Sequence, residues 1–161
     1  GTWALHSFAN DDAGDLLGDL VDGTDLSPVQ EAIDRVQSTR GYLEAPDAQR
    51  GIAACEVVAL VLGHASAASH ADDDLAAWIA RVKPSVDAGT VSQAVQVVDR
   101  VLAPDSELRE LWEESDEFNA WEADVRSLRA RLHRCSLQRQ ARRDCEDGIV
   151  HVRGGQVHRL V

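Results

Sequence analysis

The sequence predicts an all-α fold: one bundle of about six or seven helices, with an ordered N-terminal arm before it and a hairpin-like C-terminal segment after it. Three observations carry this expectation. Apolar residues between positions 11 and 132 recur at three- and four-residue spacing, which places them on one side of a helix. The stripes are separated by Pro28, Gly41, Pro46, Gly63, Pro84 and Pro104, residue types that open or close helices. Aromatic residues are only 4% of a chain that is 44% hydrophobic, so Ala, Val and Leu must fill the core, and these suit closely packed helices. With 161 residues the chain can bury such a core without help from metals or disulfides.

In the first helix Asn10 is a good N-cap, Asp11 and Asp12 suit the positive end, and Ala13, Leu16, Leu17, Leu20 and Val21 form the apolar face. Ser27-Pro28-Val29-Gln30 reads as a cap, a first-turn proline and a capping-box glutamine. The stripe Val29, Ile33, Val36 follows, and Gly41 ends that element. A third helix is expected from about Pro46 to Leu62, stopped by Gly63. Leu75, Trp78, Ile79 and Val82 make a fourth, closed by Pro84. Val91, Val95, Val98, Val101 and Leu102 make a fifth; they are β-branched enough for a strand, but helical in spacing. Ser106 caps a helix with Leu108, Leu111 and Trp112, and the pattern resumes with Phe118, Trp121, Val125, Leu128 and Leu132.

Charge divides the chain. Residues 1–125 hold 25 Asp and Glu against 7 Lys and Arg, a balance of −18, while residues 126–161 hold 3 against 9, a balance of +6. The expected organisation is therefore a helical domain over 1–135 and a basic appendage over 136–161. Within the appendage, Ile149–Arg153 and Gln156–Leu160 flank Gly154-Gly155, a hairpin pattern that must dock on the domain, pair with another chain or remain loose and disordered. The acidic part would repel nucleic acid and anionic membrane and attract a basic protein. The longest apolar run, Ile52–Leu62, is too short to span a bilayer, and no basic stretch leads into an apolar signal segment. With three cysteines and no disulfide pattern, a reducing cytoplasm is the expected location.

The first fifteen residues carry the most specific motif. Trp3 and Phe8 precede Asn10-Asp11-Asp12-Ala13 and Asp15, so two large aromatics sit on an arm that feeds a strongly capped helix. This motif, with Ala53-Ala54-Cys55-Glu56-Val57-Val58 and Ser106–Trp112 downstream, resembles an uncharacterised bacterial domain-of-unknown-function family that opens W-G-x-G-x-F-x-N-D-x-A-x-D-W. The similarity covers about residues 1–132 and implies no activity. Ala4 and His6 stand where that family has glycines, and Leu16 where it often has Trp.

Trp3, His6, Asn10, Asp11, Asp12, Asp15 and Glu56 are the candidate binding residues. Asp12, Asp15, Asp19 and Asp22 share one side of the first helix, opposite its apolar stripe. Clustered carboxylates can hold a hard cation, but a solvated charged face is the commoner meaning, and the calcium-loop pattern is absent. Glu56 interrupts an apolar helix and therefore demands a partner. A structural role, accepting hydrogen bonds from the N-terminal arm or a neighbouring helix, is favoured over a functional one. Cys135, Cys145, His151 and His158 lack the close spacing of zinc ligands. No zinc-protease, nucleophile-elbow, phosphate-loop or dinucleotide motif occurs, and no cofactor or metal is assigned. The favoured function is a non-catalytic acidic domain that binds a basic protein, as immunity proteins and antitoxins do. The alternative is a metal-dependent hydrolase using Asp11, Asp12, Asp15 and Glu56.

Overall fold

The computed structural model describes residues 11–64, 72–147, 149–152 and 156–159. The arm, with Trp3, His6 and the Asn10 cap, lies outside them, as does the Gly154-Gly155 turn. Seven helices follow one another: α1 (Asp11–Asp22), α2 (Ser27–Ser38), α3 (Ala45–Val61), α4 (Asp73–Val82), α5 (Ala88–Val101), α6 (Glu107–Glu113) and α7 (Phe118–Glu146). Strands β1 (Ile149–Val152) and β2 (Gln156–Arg159) pair antiparallel, with Ile149 opposite Arg159 and Val152 opposite Gln156. The architecture is an all-α bundle.

Its axis is α3, the helix of the long apolar run. A helix that is apolar on every side must be enclosed, and α3 is buried continuously from Gly51 to Ala59. Helices α1, α2, α5, α6 and α7 all pack against it. Small side chains permit this crowding. A Cβ on Gly51 would lie 2.7 Å from Val36 Cγ2 and 3.1 Å from Val97 Cγ1, so the glycine marks the point where α2 and α5 both press on α3. The helix ends in a Schellman turn: Gly63 has φ +79°, its N–H donates to Leu60 O at 3.0 Å, and the His64 N–H donates to Ala59 O at 2.8 Å.

Several helix ends differ from the sequence reading. Ser27 is already inside α2, the capping position is Leu26 with no side-chain bond, and the Ser27 N–H is taken by the Asp25 carboxylate at 2.9 Å. Gln30 makes no capping box; its amide bonds Asp34 at 2.8 Å and Gln93 of α5 at 3.1 Å. Ser106 stands at the capping position of α6, but its buried hydroxyl makes no capping bond, and residues 105–107 form a parallel bridge to Leu43. There the Leu43 N–H donates to Asp105 O and the Glu107 N–H to Leu43 O, both at 2.9 Å. Asp72 and Asp87 do cap α4 and α5, accepting from the Leu75 and Thr90 N–H groups at 2.9 and 2.7 Å. The β-branched segment is helical, as its spacing requires, and buries Val91, Val97, Val98 and Val101.

The largest difference is α7. It does not stop near Leu132 but continues to Glu146, 29 residues and about 44 Å long. No Gly or Pro interrupts residues 118–147, and Arg, Gln, Leu and Ala are good helix formers, so loss of the apolar stripe after Cys135 does not end the helix. None of the helices among the described residues is long and apolar enough to cross a membrane.

Candidate functional site

Glu56 lies mid-way along α3, and its side chain is 4% exposed. Across from it α7 presents Arg131, whose side chain is 14% exposed. The guanidinium Nη1 donates to Oε2 at 2.9 Å and Nη2 to Oε1 at 2.7 Å, a bidentate pair. Nη1 also donates to His64 O at 3.2 Å, tying the end of α3 to the same arginine. The neighbouring helix that sequence reasoning allowed as a donor to Glu56 is therefore α7. The alternative donors, on the N-terminal arm, lie outside the described residues.

Sequence reasoning did not single out Arg131, although a signal for it exists. Arg131 is three residues after Leu128 and four before Cys135, so it belongs to the buried side of α7 despite its charge. A buried carboxylate on one helix and an arginine within the apolar stripe of another are a natural match. What the sequence lacks is any statement that helices 75 residues apart meet at that level.

The remaining candidate carboxylates are elsewhere. Asp11 and Asp15 are exposed on α1 and Asp12 is half-buried, while the opposite side of that helix packs Ala13, Leu16 and Leu20 into the core. Among the described residues, no three His, Cys, Asp or Glu side chains are grouped to hold a metal ion. Cys55 is fully buried and its thiol contacts Ala94 O at 3.4 Å; burial, with Glu56 next in sequence, pushes its ionisation far upward. Such a thiol packs and does not react.

A second locus stands at the N-terminal end of α3. Here the Glu107 carboxylate accepts the Ala45 N–H at 2.6 Å, and the Tyr42 hydroxyl donates to Glu110 Oε2 at 2.5 Å. The hydrogen bond to Glu110 pushes the Tyr42 phenol up to about 12, because the neighbouring carboxylate opposes a phenolate. Tyr42 is 50% exposed and Leu111, next to Glu110 on α6, is 52% exposed. Between Tyr42 and α2 lies a cleft of about 360 Å³ lined by Arg35, Ser38, Thr39, Tyr42, Glu44 and Asp47. Arg35 pairs with Asp47 at 3.2 Å, whereas Glu44, Glu110 and Glu114 have no ion-pair partner among the described residues. Large apolar side chains are thus framed by uncompensated carboxylates. Behind them Trp112 and Trp121 stack with centroids 6.0 Å apart, and Arg109 caps Phe118 at 5.7 Å.

The molecule is thus a helical bundle with an ion-paired core and an acidic, partly apolar surface. Over residues 1–124 the sequence matches the family described as "Domain of unknown function (DUF4259)", and the chain belongs to that family. No curated protein and no solved structure matches it significantly.

Proposed function

We propose that this chain is a non-catalytic binding domain whose acidic surface takes a basic region of another protein, in the manner of immunity proteins and antitoxins. The observation that supports the reading is the exposure of Tyr42, whose hydroxyl Glu110 holds, and of Leu111 next to Glu110, with Glu44 and Glu114 within a few residues of them in the chain. Protein interfaces combine apolar or aromatic anchors with a charged rim that steers the partner. Tyrosine is a favoured anchor because it covers a large area at a small entropy cost. Here its hydroxyl is already held by Glu110, so less ordering remains to be done on binding.

The test is capture of a partner by the immobilised chain, followed by kinetics. The association rate should fall as ionic strength rises, because charges on the rim act on the encounter. Tyr42→Ala and Leu111→Ser should raise the dissociation rate of the same partner, and Glu44→Gln with Glu114→Gln should slow its association. Binding that ignores both salt and these substitutions would refute the proposal.

A further inference from the structure

The C-terminal end of α3 carries a second cleft of opposite character. It has a volume of about 150 Å³ and is lined by Leu62, His64, Cys135, Gln138, Arg139 and Arg142. Cys135, Arg139 and Arg142 follow one another at four- and three-residue steps, so one stripe of α7 supplies the floor and both guanidiniums. Leu62 and His64, from the Schellman turn, supply the facing wall.

The cationic side chains here form no ion pair among the described residues. Arg126, Arg129 and Arg131 on the same helix are paired with Glu122, Asp99 and Glu56. Arg139 and Arg142 have no carboxylate within ion-pair distance among the described residues. The opposite wall is held in place twice over, by the Arg131 bond to His64 O and by a 2.9 Å contact between His64 Nε2 and Gln138 Oε1. In the neutral tautomer with hydrogen on Nε2, His64 donates to Gln138, and the Gln138 amide keeps its own N–H donors for the cleft. Among the described residues Asp87, whose carboxyl is held below the usual range first by the Thr90 N–H, lies close enough to Arg139 for that arginine to help, and the carbonyl end of α3 also opposes an anion. That end amounts to roughly half a negative charge against two full positive ones, and the His64 carbonyl is already covered by Arg131.

We infer that this cleft is a binding site for a compact oxyanion, with Arg139 and Arg142 as the charged donors and Gln138 as the neutral one, and that its ligand is a small phosphorylated molecule. Planar guanidiniums suit phosphate oxygens, and two of them beside a floor of Cys135 and an apolar wall of Leu62 distinguish this cleft from a merely basic surface. The site is independent of the acidic surface, which lies at the other end of α3.

The experiment is titration of the full chain with inorganic phosphate and with phenyl phosphate, at ionic strength held constant with sodium chloride, followed by calorimetry and by arginine side-chain NMR. Saturable binding is expected, with the Arg139 and Arg142 Nε resonances shifting. Arg139→Gln with Arg142→Gln should weaken it by about tenfold or more. Arg134→Gln with Arg143→Gln removes the same charge from α7 outside the cleft and should leave affinity within about twofold. Circular dichroism of both double variants verifies the fold. Linear, unsaturable shifts, or equal losses in the two double variants, would overturn the proposal. Tighter binding of phenyl phosphate than of phosphate identifies an organic phosphate as the ligand class, and equal or weaker binding overturns that part.

Discussion

Replacing Arg131 by Ala should be among the most damaging single changes in the helical core. The substitution removes the two hydrogen bonds that Arg131 gives to Glu56, whose carboxylate is 4% exposed. Breaking one side of a buried ion pair costs about 3–5 kcal/mol, mostly the penalty of the charge left behind. For a domain of this length that corresponds to a fall in Tm of roughly 6–20 °C. Glu56→Gln should cost less, about 1–3 kcal/mol, since the amide retains an acceptor and the more accessible Arg131 can recover some hydration. Pairing Glu56→Leu with Arg131→Met should be less damaging than Arg131→Ala alone, because neither charge then has to be desolvated, although the His64 carbonyl loses its donor. Urea unfolding followed by circular dichroism measures all of these. In an alanine cycle, the two single losses should exceed the double loss by about 2 kcal/mol. Additive losses, or an Arg131→Ala protein within about 1 kcal/mol of the native chain, would refute the reasoning.

Other positions make equally definite predictions. Gly51→Ala should destabilise by about 1–3 kcal/mol in urea melts, because the new methyl enters space held by Val36 and Val97; a neutral result would mean that α2 and α5 move apart freely. In the native protein a thiol reagent should modify exposed Cys145 quickly and Cys55 only on unfolding, and mass spectrometry of trapped peptides would expose any reverse order. The chain has a single tyrosine, so alkaline titration at 295 nm reads Tyr42 directly. Its proton should persist to about 12, and Glu110→Gln should bring the transition back toward 10, the ordinary value; a midpoint near 10 in the folded native chain would refute the Tyr42–Glu110 bond. A chain ending after Cys135 should still unfold cooperatively, since the buried apolar residues of α7 end there; a melt without a transition would place residues 136–161 in the core.

The sequence by itself determined the elements. Periodic apolar residues and the Pro and Gly breaks located α2 to α6 because helix formation and termination are governed by residues within one or two turns. The same local logic recognised Val91–Val101 as helix and Glu56 as a carboxylate that needs a partner. It failed where local signals competed. At α2 the expected Ser27 cap falls inside the helix, and the Ser27 N–H is taken instead by Asp25 two residues back. After Cys135 the apolar stripe ceased while helix propensity did not, and propensity prevailed. Tertiary structure alone decided which of nine arginines in residues 126–161 would meet Glu56, since that choice depends on how α7 crosses α3. It also decided that Tyr42 would reach Glu110 and that Leu43 would bridge residues 105–107, contacts more than 60 residues apart in the chain. Such pairings depend on the distances and angles between packed helices, which the periodicity of each helix leaves open.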